Sequence, residues 1–318
     1  MRLLKFFTLG IVALLAGGAL YQRIARTRER QQNPVPGVLV DVGGYRMHLY
    51  CTGEGSPAVI LDAGLGESRF TWSTLQPRVA QFTRVCSYDR AGMGWSDPSP
   101  RQRTSKTIAE ELHVLLHNGR APEPYVLVGH SFGGWNVRMY ASLYRGEVAG
   151  MTLIDASHPD QLTRLPAEIF KQQARYTALL RAFEFTMPFG LPRLMGFCQG
   201  TPEERAATCS ADPPHEVRAE LAAMAESAAE VRATGPFGDL PIRILSHDPE
   251  RIDGALFKKG GPDVDLAKQA NLAWEQMQRE LTGLSSNSAR VVATGSGHYI
   301  HVDKPDVVIA AIREVAGR

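Results

Sequence analysis

Short, near-continuous apolar runs recur along this chain, and most are followed by a stretch with helical spacing. Residues 38–42 and 45–51 flank Gly43-Gly44, the signature of a hairpin. Further runs follow at 58–62, 85–88, 125–128, 151–154, 242–245 and 290–293. Runs this short, without polar alternation, fit parallel strands covered on both faces. Helical periods lie between them at 70–81, 107–118, 133–144, 266–284 and 306–315. Two antiparallel strands followed by alternating strands and helices predict an α/β fold. Its mostly parallel, doubly wound sheet has about eight strands.

The alternation stops between His158 and Phe237. Residues 168–183 and 215–233 keep a helical period, and Pro188, Pro192, Pro202, Pro213 and Pro214 punctuate the rest. A structureless loop of that length does not belong in a compact domain, so 158–237 reads as a helical insertion into a core of 37–157 and 238–318. Residues 23–36 are polar, end in Pro34 and Pro36, and read as a linker.

Ahead of that linker, residues 6–22 carry no charge. As a helix they reach about 25 Å at roughly 1.5 Å each, close to the ~30 Å of a hydrocarbon layer. Leu3 and Leu4 extend the run if Lys5 snorkels to the headgroups. Residues 1–22 are thus expected to be a retained single-pass signal anchor. The alternative is a signal peptide cleaved near Gly17–Ala19, which leaves a secreted or periplasmic protein. Arg23, Arg26, Arg28 and Arg30 face Arg2, Lys5 and the amino terminus across the run, and the positive-inside rule narrowly favours a cytoplasmic globular part. The net charge is +2, of which residues 1–32 supply +5, leaving −3 on everything after them. A slightly acidic folded part argues against nucleic acid as a partner, because that role needs a basic face.

One motif carries chemistry. Gly129-His130-Ser131-Phe132-Gly133 matches GxSxG, directly after the strand run 125–128 and directly before a helix pattern. A sharp turn there lifts Ser131 clear of the sheet, and the glycines leave room for it. The helix start offers unpaired N–H groups to a developing oxyanion.

In that context the chain resembles the α/β-hydrolase fold superfamily over roughly residues 36–317. Asp62-Ala63-Gly64-Leu65-Gly66 stands where such enzymes carry the loop after the third strand. The segment from Tyr88-Asp89-Arg90 to Trp95-Ser96 resembles their YDRxGxGxS stretch, and Ser296-Gly297-His298 follows the last strand, where the family places its histidine. Many esterases of the family have His-Gly where this chain has Asp-Ala-Gly. The resemblance implies an esterase-like serine hydrolase with a cap, a small-molecule ester-like substrate and no cofactor. Epoxide hydrolase and haloalkane dehalogenase relatives use an aspartate nucleophile where this chain has Ser131. A C–C bond hydrolase, an aminopeptidase-like hydrolase, an acyltransferase and a non-catalytic ligand-binding module remain as other readings.

Ser131 needs a histidine base, and the base needs an acid to hold its tautomer. His298 is the expected base and His301 the runner-up; His130 faces off the turn and shapes the pocket. Family acids occur at two places. One follows the strand before the cap, where Asp155 ends the run 151–154. The other follows the strand after it, where Asp248 and Glu250 enter a Pro-containing loop. Asp155 is preferred for its rigid strand end, with Asp248 the alternative. The oxyanion donors are expected to be the backbone N–H groups of Leu65 and Phe132. Asp89 and Arg90 read as structural residues pinning the loops nearby.

No HExxH or CxxC spacing suggests a metal. Cys51 and Cys86 fall in strand runs and read as buried packing residues. Cys198 and Cys209 lie in the cap, where they either form a disulfide in an oxidising compartment or pack as free thiols. Phe170, Tyr176, Phe183, Phe185, Met187, Phe189, Leu191 and Met195 are candidates for a hydrophobic substrate pocket.

Overall fold

The computed structural model describes residues 2–251 and 264–318. Eight strands form one sheet: β1 (Val38–Asp41), β2 (Arg46–Thr52), β3 (Ala58–Asp62), β4 (Val85–Asp89), β5 (Tyr125–His130), β6 (Val148–Ile154), β7 (Ile242–His247) and β8 (Ser288–Ala293). Their order is β1-β2-β4-β3-β5-β6-β7-β8. The β1–β2 and β2–β4 pairs are antiparallel and all others parallel. Every residue of β3, β4 and β5 is buried; β3 and β5 are apolar along most of their length, and in β4 the buried Ser87 and Asp89 are bonded to Gln76 and His48.

The chain runs outward from β3 to β4 and then returns to place β5 on the other side of β3. Connections leaving β3 and β5 therefore diverge and open a crevice at the strands' carboxyl ends.

The helices are α1 (Arg2–Gln32), α2 (Ser105–Asn118), α3 (Gly133–Leu143), α4 (Ala167–Thr186), α5 (Pro202–Thr208), α6 (Asp212–Ala222), α7 (Met224–Arg232), α8 (Val264–Glu280) and α9 (Pro305–Val315), besides single turns. On one face of the sheet Ile108 and Leu112 of α2 and Trp135 of α3 join the core. On the other, Trp72 packs with Val308 and Ile312 of α9. Truncating either tryptophan, both fully buried, to alanine would cost roughly 3–5 kcal/mol.

Between β6 and β7 the chain is helical, α4 to α7, and lies over the crevice. Within this span α5 begins with a capping box formed by Thr201 and Glu204.

The structure departs from the sequence-based expectations in four places. Residues 70–81 are not one helix but a 3₁₀ turn, Arg69–Trp72, and a short helical turn, Gln76–Val79. Pro77 has no N–H to continue a helix begun at Phe70. The period over 215–233 is split at the buried Ala223 into α6 and α7. The segment read as a linker is helical to Gln32. Its Arg, Glu and Gln residues favour helix, and Pro34 is the first residue to oppose it. Finally, Cys51 and Cys86 are not free packing thiols. They stand opposite each other on β2 and β4, their Cα atoms 4.0 Å apart, and form a disulfide. Cys198 and Cys209 form a second one, joining the two ends of the α5 segment.

Helix α1 is docked on the cap. Gln22 donates from Nε2 to the Cys209 carbonyl at 3.0 Å. Arg193 grips Glu29 with two bonds of 2.7 and 2.9 Å. A Cβ on Gly18 would lie 2.3 Å from the Phe189 carbonyl oxygen, so only glycine allows this approach. The apolar half of α1, from Leu4 to Leu20, is largely exposed; it is long and apolar enough to cross a membrane.

Candidate active site

Ser131 sits on the turn between β5 and α3 with φ +51°, a left-handed value that non-glycine residues rarely adopt. Such a conformation costs about 1–3 kcal/mol and persists only where its surroundings impose it. They do so here. The Ser131 N–H donates to Ile154 O at 3.1 Å, and its carbonyl accepts from Gly134 N at 3.0 Å and Ser157 N at 2.9 Å. The motif's glycines answer to packing. A Cβ on Gly129 would lie 2.6 Å from Gly133 O, and one on Gly133 would lie 2.4 Å from Asp62 O.

Asp155, one residue past β6, is fully buried with φ +41°. Its N–H donates to Leu245 O at 2.6 Å, tying it to β7. Its carboxylate accepts from His298 Nδ1 at 2.6 Å and from His247 Nδ1 at 2.9 and 3.0 Å. It also accepts from the His247 backbone N–H at 3.2 Å and from Trp274 Nε1 at 3.0 Å. Burial alone would raise its pKa. The hydrogen bonds and charges of the two imidazoles outweigh burial and hold the group far below the ordinary carboxylate range. With Nδ1–H spent on Asp155, His298 keeps Nε2 as a lone-pair acceptor.

The other candidates lie elsewhere. Asp248 accepts from Gly295 N at 2.7 Å and Glu250 N at 3.0 Å, bracing the β8 loop, and Glu250 is exposed. His301 is buried against Trp72, its Nε2 paired with Thr71 Oγ1 at 2.9 Å. The structure therefore brings Asp155, not Asp248 or Glu250, to His298.

On the β3 side, Leu65 lines the crevice opposite Phe132. Among the described residues neither backbone N–H has a hydrogen-bond partner. Arg90 steadies this loop, donating to Ala63 O at 2.8 Å and Gly64 O at 2.7 Å while pairing with Asp62 and with Glu220 of α6. Glu67 accepts from Gly64 N at 2.9 Å and lies 3.3 Å from His130 Nδ1. Although burial opposes it, the bond to His130 and that to Gly64 lower the Glu67 pKa to about 2. His130, buried and beside His298, is shifted down, towards the neutral imidazole.

These groups surround a cavity of about 550 Å³ lined by Ser131, His298, Leu65 and Phe132. The cap contributes Ile169, Phe170, Tyr176, Leu221 and Met224 to its wall. Of the eight apolar cap residues singled out in the sequence, Phe170 and Tyr176 line it and the others do not. His247, Trp274 and Glu67 are site residues that the sequence pattern does not single out. His247 ends a strand at the same edge of the sheet as Ser131 and Asp155, and that position is the signal that could have found it. Among the described residues no three His, Cys, Asp or Glu side chains converge as metal ligands.

The sequence profile described as "Alpha/beta hydrolase family" matches residues 59–311. The chain is 24% identical over 265 residues to the uncharacterized protein YqjL of Bacillus subtilis strain 168, covering 83% of this chain and 85% of that one. It is 29% identical over 147 residues to epoxide hydrolase 4 of Mus musculus, covering 44% and 40%. Its fold superposes on a thermophilic esterase from Thermogutta terrifontis with a TM-score of 0.61 at 23% identity, covering 88% and 98%.

Proposed function

The chain belongs to the alpha/beta hydrolase family, and on that premise we propose that it is a membrane-tethered serine hydrolase. Its substrates are carboxylic esters with a small hydrophobic acyl group. The observation that carries this reading is the shared cavity. It holds Ser131 on its strained turn and His298 bonded to Asp155 at 2.6 Å.

In the reaction, the Ser131 hydroxyl attacks the ester carbonyl carbon while His298 Nε2 takes its proton. The carbonyl oxygen becomes an oxyanion held by the Leu65 and Phe132 N–H groups. Asp155 keeps Nδ1–H in place and stabilises the imidazolium. Collapse of the intermediate breaks the C–O bond, and the alcohol leaves with the proton from His298. Water, deprotonated by the same imidazole, then attacks acyl-Ser131 and releases the acid. The apolar cap residues fit an alkyl or aryl acyl chain.

Helix α1 is the tether in this reading; its bonds to the cap through Gln22 and Glu29 hold the end of the helix beyond Gly17–Ala19 against the globular part. Two disulfides favour an oxidising compartment for the globular part, against the narrow lean of the arginine count.

The test is covalent labelling by a fluorophosphonate, with turnover of a p-nitrophenyl ester panel. Ser131→Ala should abolish labelling and lower kcat by on the order of 10⁴–10⁶ with the fold intact. Full turnover in that variant would sink the proposal.

A further inference from the structure

A second cavity, of about 390 Å³, lies between α1 and the cap. Its α1 wall carries Arg23, Arg26 and Arg30, spaced i, i+3 and i+7 and hence on one helix face. The only carboxylate among its lining residues is Asp212, 3.6 Å from Arg26. Arg23 makes no ion pair among the described residues. Arg30 spends its Nε on Ala206 O and stacks over Trp95, with no carboxylate bonded to it. The cleft therefore gathers three guanidinium groups against one acid. On the cap side Met187, Pro188 and Ala211 supply apolar surface and Ser210 and Asp212 polar groups, while Ala19 lies on α1 one turn before Arg23.

The position of this cleft is as informative as its charge. The apolar run of α1 ends at Tyr21, and Arg23 to Arg30 occupy the next ~10 Å of helix. That is the depth of the headgroup layer if the run spans the hydrocarbon. The cap reaches this level and about a turn beyond it, because Gly190 packs on Gly18 and Tyr21 at the end of the apolar run. Beside it Leu191, Leu194 and Met195 are 46%, 66% and 63% exposed, an apolar rim suited to the bilayer boundary.

We propose that the cleft between α1 and the cap binds the phosphate-bearing headgroup of an anionic membrane lipid. The phosphate lies among Arg23, Arg26 and Arg30, and the glycerol and first methylenes lie on Met187 and Pro188. This inference rests on the reading of α1 as a bilayer-spanning tether. It does not depend on the hydrolase chemistry. The bound lipid ties α1 to the cap that walls the substrate cavity.

Thermal unfolding of the full chain in detergent tests it, with dioleoylphosphatidylglycerol or dioleoylphosphatidylcholine added at equal mole fraction. Phosphatidylglycerol should raise Tm by several degrees and phosphatidylcholine should not. Arg23→Gln and Arg26→Gln should each raise the half-saturating phosphatidylglycerol about tenfold. Arg28→Gln removes the same charge from another face and should leave it unchanged. Equal shifts from both lipids, an equal shift from inorganic phosphate, or an equal loss in Arg28→Gln would each overturn the site. Carbonate extraction of the same full chain separates the premise. Release from membranes overturns tether and site together, whereas retention with no preference for phosphatidylglycerol overturns the site alone.

Discussion

The carboxyl edge of the sheet and the helical cap face each other across the cavity, and they are held by different forces. At the sheet edge, backbone bonds between neighbouring strand ends set the geometry: Ser131 N to Ile154 O, Asp155 N to Leu245 O, and Asp248 N to Ser296 O. Few degrees of freedom remain there. The cap is a set of helices tied to the rest by side-chain ion pairs. Arg90 reaches Glu220, Arg103 lies 3.4 Å from Glu216, and Arg193 holds Glu29. In the proposed reaction, the chemistry that needs fixed distances would sit on the first region and the wall facing the substrate on the second. Such a division lets a cap change shape without moving the reacting groups.

The largest expected effect tests how local the sheet edge's precision is. Asp155→Asn should lower kcat roughly 10³–10⁴-fold, because the carboxylate that accepts the His298 Nδ1–H bond and so fixes the tautomer is lost. Asp248→Asn, the same change in a carboxylate that only braces a loop, should cost less than about tenfold. Steady-state kinetics on one ester compares them. Comparable losses would mean that the β8 loop, not the bond to His298, is what matters.

An intermediate effect sets the two disulfides against each other. Cys51–Cys86 closes a 35-residue separation inside the sheet, and Cys198–Cys209 one of 11 residues inside the cap. Chain entropy assigns them about 4 and about 3 kcal/mol respectively. Replacing Cys51 and Cys86 with serine should lower the main calorimetric transition by several degrees. Replacing Cys198 and Cys209 should chiefly loosen the cap, seen as earlier proteolysis between Phe183 and Cys209. A main transition lowered equally by both pairs would show that cap and sheet melt as one unit.

The smallest effect concerns His247. Burial lowers its pKa, but the hydrogen bond and charge of Asp155 outweigh this and raise it above the ordinary 6.5. A raised folded-state pKa contributes stability that is full below the unfolded value and is lost as pH rises through the folded one. The Tm gap between the parent chain and His247→Gln should be widest near pH 6 and narrow towards pH 9. A gap that widens with pH would place the proton elsewhere.

Some of this was legible along the chain and some was not. The strand runs at 58–62, 85–88 and 125–128 could be read because strands covered on both faces are mostly apolar over a short length. The turn at Ser131 could be read because its glycines sit within four residues of each other and answer to local crowding. Residues 70–81 misled because a period says nothing of the missing N–H at Pro77 until neighbours compete for the backbone. The Cys51–Cys86 pairing stayed hidden because register between β2 and β4 is not written in either strand alone.

The sequence by itself determined the strands and most of the helices, where the sharp turn falls, and which histidine follows the last strand. Each of these follows from interactions within a few residues of chain. Only the tertiary structure decided what meets at Asp155. Its partners His247, Trp274 and His298 lie 92, 119 and 143 residues away. Only the tertiary structure, likewise, laid the arginines of α1 against the cap. Both depend on how the sheet orders its strands and how the cap folds back across them. Contacts between such distant segments are fixed by the mutual exclusion of volume and the pairing of buried polar groups, which no local pattern encodes.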